Sequence, residues 1–310
     1  MIATKQAVES FLGSVSLSRK VHTFRNLSFI KIRGTESWEK RETPYVTLQS
    51  ALQAGQAAVQ ETGSIECLKL VQQTPQLLFV MAGMYLRGGS QDRTVTHSMV
   101  IDSTEAVIPT RCVEHRRWDY SMEPFQVPKQ GALAASSFIS SSHYRQQQHV
   151  WDTVDNLSAS IGTETNTSRL GDVVEQASLK LEDFRSNIKL GIEDPDVVGC
   201  LFFISRGTNM PAVSMVDIFG QHALAAAMMP PLFESAALHA LAFPGGTSPS
   251  DADVLSEANA LLRNSNSVQA EDIRIQGNSG GILEGPIGPA SGKITILSHD
   301  YRPLHFMIRA

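Results

Sequence analysis

The sequence predicts an α+β protein, with antiparallel-rich sheets and helices gathered in blocks. Two observations carry this. Short apolar or alternating runs follow one another between Ile65 and Tyr120, as in "ECLKLVQQ", "LLFVMAGMYLRGG", "TVTHSMVI" and "AVIPTRCVEHRRW". Separated by Gly, Pro and Asp, they read as consecutive strands. Helical spacing is confined to other stretches, so the strict strand–helix alternation of a doubly wound sheet is missing. A chain of 310 residues suits one large domain, or two lobes, 1–140 and 149–310, joined by the exposed Ser/Ala-rich stretch Pro128 to Ser142.

Each element has its own signal. Thr4 is an N-cap for a helix with Ala7, Val8, Phe11 and Leu12 on one face. The apolar positions from Val21 to Ile32 suit a strand or a bent strand pair. After Pro44, Leu48, Ala51, Leu52, Gly55, Ala58 and Val59 align at helical spacing up to a C-cap at Gly63. Beyond the strand-rich block, "QQQHVWDTVDNLSASIG" and "SRLGDVVEQASLKLEDFRSNI" read as two helices. "VVGCLFFIS" and "AVSMVDIFG" read as strands around a Gly207-Thr208-Asn209 turn. Pro230-Pro231 should split Gln221 to Phe243 into two short helices. Ser250 and Asp253 cap a further helix, and four strand-like runs, "EDIRIQG", "GILEG", "KITILSH" and "LHFMIRA", close the chain.

Hydrophobic residues at 42%, charged residues at 18% and a net charge of -5 point to a soluble protein without general affinity for nucleic acid. The first residues lack the pattern of a signal peptide, and no apolar run is long enough for a membrane span. Three cysteines without close pairing suit buried free thiols in the cytoplasm.

Gly277-Asn278-Ser279-Gly280-Gly281 looks like the nucleophile loop of trypsin-like serine proteases. A nucleophilic serine needs a base and an orienting group, and His143 is the candidate base. The interval between them holds several helical segments, unlike an all-strand protease. The glycines suit a turn between strands, which needs less.

The densest chemistry lies in "YLRGGSQDRTVTHS" and "VIPTRCVEHRRW". Gly88-Gly89 permits a sharp reversal, and strand pairing can bring Gln91, Arg93, Glu114 and Arg117 together. Arginine forks suit phosphate, Trp118 can stack on a base, and Glu114 can accept from a ribose. The alternative is an internal salt-bridge network of Asp92 and Glu114 with Arg93 and Arg117, under the Trp118 ring.

These motifs resemble the paired signature of the ARG and Rhodanese-Phosphatase-superfamily-associated Protein domain family. "VVGCLFFIS...MVDIFG" and "GKITILSHDYRPLHF" are also similar to it. The resemblance implies a link to ADP-ribose or nucleotide-derivative metabolism, through gene neighbourhoods shared with ADP-ribosylglycohydrolase-like and phosphatase-like enzymes. It implies signature positions, without assigned catalysis, at Gln91, Arg93, Glu114, Arg117, Trp118 and Asp217.

Asp217 reads as a helix N-cap, a catalytic acid or an arginine partner. His299 and His305 lack the third ligand and the spacing of a metal site. "FPGGTSPSD" precedes a helix start, but Asp251 and Asp253 would repel an anion there. The expectation is a soluble cytoplasmic protein binding a small anionic or nucleotide-like ligand through Gln91, Arg93, Glu114, Arg117 and Trp118, with Glu114 and Asp217 as catalytic candidates. No cofactor, metal, membrane or general nucleic-acid partner is expected. The alternatives are a non-catalytic interaction or scaffold protein and, less simply, a hydrolase using Ser279.

Overall fold

The computed structural model describes residues 3–35, 44–115, 123–129, 146–165, 167–207, 212–265, 271–287 and 292–310. The first elements in chain order are α1 (Lys5–Gly13), β1 (Val15–Phe24), β2 (Leu27–Gly34), β3 (Tyr45–Thr47), α2 (Leu48–Gln53), β4 (Ala57–Glu61), β5 (Cys67–Gln72) and β6 (Leu77–Val80). Then come β7 (Tyr85–Leu86), β8 (Arg93–Val95), β9 (Met99–Ile101), β10 (Glu105–Cys112), α3 (Gln147–Ile161), α4 (Leu170–Gln176) and α5 (Ser178–Asn187). The last are β11 (Val197–Ile204), β12 (Val213–Phe219), α6 (His222–Leu241), α7 (Asp251–Asn264), β13 (Glu271–Ile273), β14 (Gly281–Ile287), β15 (Gly292–His299) and β16 (Arg302–Arg309). The fold is α+β with antiparallel-rich sheets, as the sequence predicts.

The chain divides into two compact units. Unit 1 comprises Met1–Glu42, Lys180–Ile273 and Gly280–Ala310; unit 2 comprises Thr43–Leu179 and Arg274–Ser279.

Unit 1 is built on an eight-stranded sheet in the order β1-β2-β11-β12-β16-β15-β14-β13, antiparallel throughout. Alternation along these strands sends Ile30, Ile32, Leu201, Val216, Ile218, Ile296, Phe306 and Ile308 to one core, where they meet Val8 of α1 and Val254, Ala258 and Leu261 of α7. Thr4 caps α1 by accepting from the Ala7 amide, and Ser250 caps α7 by accepting from Asp253. The unit also holds α6, whose Phe233 ring lies 6.2 Å from that of Phe202 on β11. This helix is long and apolar enough to cross a membrane, but 67% of its apolar 18-residue window is buried inside the protein.

A correction to the sequence reading concerns α6, which runs unbroken through Pro230 and Pro231. Proline removes a helical hydrogen bond to the carbonyl four residues back. Here those carbonyls belong to half-buried Ala226 and exposed Ala227, where water can replace the lost donor. Met228, Met229, Leu232 and Phe233 bury the other side and hold the helix across the junction.

His239, in the last turn of α6, is buried; burial and then the charge of Arg206 lower its pKa to about 4. The folded protein therefore keeps it neutral while the unfolded chain titrates near 6.5. This contribution to stability is complete above pH 6.5 and is lost as pH falls towards about 4, at up to ~1.4 kcal/mol per pH unit. Urea midpoints measured against pH should fall less steeply in His239→Asn over this window; an unchanged slope would refute the assignment.

Unit 2 holds a five-stranded sheet, β4-β5-β10-β8-β7, and a three-stranded sheet, β3-β6-β9. Among the described residues, only β3–β6 is a parallel pair. A further correction applies near its start. The helix expected through Val59 stops at Gln53, Gly55 turns with φ +67, and Ala57–Glu61 pairs with β5 instead. Helical periodicity loses to strand pairing. The single helix expected at 168–188 is likewise divided at Ala177 into α4 and α5.

Candidate functional site

The two polar signatures meet in unit 2 because β8 pairs with the end of β10. The register sets Val95 against Thr110, Thr94 against Arg111 and Arg93 against Cys112. Gly88 and Gly89, at φ +130 and +56, turn the chain from β7 towards β8. A Cβ at Gly88 would sit 2.6 Å from the Pro124 carbonyl oxygen, and one at Gly89 would sit 2.6 Å from Glu61 Oε1. Only glycine fits this reversal.

Asp92, fully buried, is one hub of the cluster. Its carboxylate accepts from the Tyr85 hydroxyl, from the Gly88 amide at 3.0 Å and from Arg169 Nε at 2.7 Å. Glu114, 1% exposed, is the second hub. It accepts from the Asp92 amide at 3.2 Å and from the Thr167 hydroxyl at 3.2 Å, while its carbonyl takes Gln91 Nε2 at 3.1 Å and the Cys112 thiol at 2.7 Å. Gln147 of α3 grips both backbone groups of Cys112, accepting from its amide at 2.9 Å and donating to its carbonyl at 2.7 Å.

Arg93 is 1% exposed and thinly supplied with partners. Nη1 donates to the carbonyls of Gln91 at 2.8 Å and Asp92 at 3.5 Å, and to Cys112 Sγ at 3.7 Å. Nη2 stands 3.6 Å from Glu61 Oε2, and Nε has no hydrogen-bond partner among the described residues. Gln91 Oε1 also lacks one. A buried guanidinium normally fills more of its five donors.

The electrostatics follow from burial. Desolvation and then the Asp92 charge push the Tyr85 phenol well above its usual range, so it stays protonated and donates. Burial opposes the charge on Arg169, but the hydrogen bond and charge of Asp92 outweigh it and raise that pKa. Burial raises the Cys112 thiol despite nearby Arg93, which leaves it a poor nucleophile. Gly171 on α4 makes room for the phenol: an added Cβ would lie 2.5 Å from Tyr85 Oη.

Of the residues picked out by sequence, Gln91, Arg93 and Glu114 come together and are buried. Arg117 and Trp118, with Arg116 and His143, lie outside the described residues. Asp217 belongs to unit 1, in mid-strand on β12, where it caps no helix. It is the arginine partner: Arg309 Nη2 donates to its Oδ1 at 2.9 Å and His305 Nε2 lies 3.1 Å away, all three at most 1% exposed. Burial lowers the His305 pKa against the pull of Asp217. The Ser279 amide and hydroxyl both donate to the Val100 carbonyl, and Asn278 accepts from the Val100 amide, so this loop docks on β9 as a turn. No group of three or more potential metal ligands occurs among the described residues.

Tyr85, Arg169, Thr167, Gln147 and Glu61 were missed by sequence reading. Arg169 and Thr167 reach the cluster from a loop with no motif of its own. Glu61 was hidden by the helical periodicity of its segment. The partial signal was "GGSQDR" itself, since a buried aspartate beside a buried arginine demands further charged partners.

An α+β chain with antiparallel sheets and a buried, mixed-charge cluster built from two glycine-led and arginine-rich signatures is the class these features define. The chain belongs to the ARG and Rhodanese-Phosphatase-superfamily-associated Protein domain family, whose model matches residues 16–282. No match was found among curated proteins or solved structures.

Proposed function

We propose that unit 2 binds a small anionic or nucleotide-like ligand at the Gln91–Arg93–Glu114 cluster, in ADP-ribose or nucleotide-derivative metabolism. One observation carries the reading: Arg93 is a buried cation with a single short hydrogen bond and an Nε that has none among the described residues. Fold stability alone gives little reason to keep such a group, because buried ions are often replaced by apolar residues without loss. Strongly perturbed polar groups concentrate where ligands are handled. Gln91, Asp92 and Glu114 act as positioning residues in this reading. The setting is the cytoplasm, consistent with free Cys67, Cys112 and Cys200.

A scaffold reading has its own support, since Asp92 and Arg169 already neutralise one another. Thermal shift and calorimetry with ADP-ribose, NAD and nucleotides separate the two. Ligand at about 100 times its Kd should stabilise the folded state by ~2.7 kcal/mol, and Arg93→Lys, still folded, should weaken binding at least about tenfold through loss of the planar fork. No shift with any of these compounds would leave the scaffold.

A further inference from the structure

Glu61 ends β4, an edge strand of the five-stranded sheet, and its side chain is 30% exposed beside an arginine at 1%. Its carboxylate does what a bound oxyanion would do. Oε1 accepts from the Ser90 backbone amide at 2.8 Å, and Oε2 faces Arg93 Nη2 at 3.6 Å, beyond hydrogen-bond reach. The absent side chain of Gly89 leaves room for that carboxylate, since a Cβ there would lie 2.6 Å from Oε1. Nε and Nη2 form the side edge of a guanidinium, the edge that takes carboxylate and phosphate in two parallel hydrogen bonds. In Arg93 this edge makes no hydrogen bond among the described residues.

We infer that the Ser90 amide and the Nε/Nη2 edge of Arg93 form an oxyanion subsite, for a phosphate or carboxylate group of the ligand, which Glu61 holds as an internal stand-in until displaced. This rests on the ligand-binding reading of unit 2 and names the chemical group that enters. Displacement is inexpensive because Glu61 is already partly hydrated and moves from an edge strand into water. The incoming anion gains a paired contact with the arginine that Glu61, 3.6 Å away, does not make. Repulsion between the two anions also makes Glu61 a brake on affinity.

The test is calorimetry on the full chain with inorganic phosphate, acetate and ADP-ribose, comparing wild type, Glu61→Gln, and Glu61→Gln combined with Arg93→Lys. Glutamine can still accept from the Ser90 amide, so the loop keeps its anchor while the negative charge goes. Phosphate or acetate should bind Glu61→Gln at least about tenfold more tightly than wild type, and adding Arg93→Lys should erase the gain. Whichever ion gains more identifies the ligand group. If ADP-ribose binds wild type and Glu61→Gln equally, the ligand reading survives and the subsite falls. If no probe binds either protein, both fall. Should circular dichroism show Glu61→Gln unfolded, Glu61→Asp, which retracts the carboxylate by one methylene, must show a gain of about threefold or the subsite is rejected.

Discussion

Replacing Asp217 with alanine should destabilise unit 1 by roughly 3–5 kcal/mol, the usual cost of breaking a buried ion pair from one side. Asp217 and Arg309 are both fully buried, and His305 is 1% exposed. Arg309 Nη1 donates to the carbonyls of Val216 and Ile308 at 3.1 and 2.8 Å, which fixes the guanidinium in place. It cannot follow the lost carboxylate to water, so its charge stays uncompensated in the sheet. Pairing Asp217→Leu with Arg309→Met removes both charges and should recover most of the loss. Urea denaturation of the single and double variants measures this directly. A loss below about 1 kcal/mol in Asp217→Ala would mean that the pair contributes no more than a surface bridge.

Asp92→Ala should have a similar effect in unit 2, again roughly 3–5 kcal/mol, for a different reason. One carboxylate satisfies the Tyr85 hydroxyl, the Gly88 amide and Arg169 Nε together. Its removal strands three donors, two of them in residues with almost no access to solvent. Tyr85→Phe combined with Asp92→Ala should cost less than the sum of the single changes, because the stranded phenol disappears with its acceptor. Arg93→Lys should cost far less, since the side edge of that guanidinium makes no hydrogen bond among the described residues. The contrast separates the residue that braces the loop from the residue proposed to meet an anion. Equal losses in Asp92→Ala and Arg93→Lys, measured by urea melts, would make the cluster a uniform brace.

The sequence carried the fold class through local signals strong enough to survive folding. Thr4 and Ser250 sit where their hydroxyls cap α1 and α7, and the runs from Cys67 to Cys112 are strands because turn residues interrupt them. Periodicity failed where two readings competed. Ala57–Glu61 has helical spacing but a strand partner in β5, and Pro230-Pro231 breaks a helix only if burial does not hold it. The meeting of "GGSQDR" with "TRCVE" was legible because two strand-like runs close in sequence readily pair. Arg169 was not, since its approach to Asp92 depends on where α4 begins, which no spacing rule encodes. The ionic partnership of Asp217 with Arg309 was equally hidden: it follows from the register of β12 against β16, set by the sheet as a whole.

The most direct test is a nitrogen–proton correlation spectrum followed during titration with ADP-ribose and with inorganic phosphate. Two resonances matter, the Nε–H of Arg93 and the backbone N–H of Ser90. Both should move in a saturable way with one shared Kd, as an anion takes the place of the Glu61 carboxylate. Heat of binding with both signals unmoved would place the ligand elsewhere and contradict the assignment of this cluster.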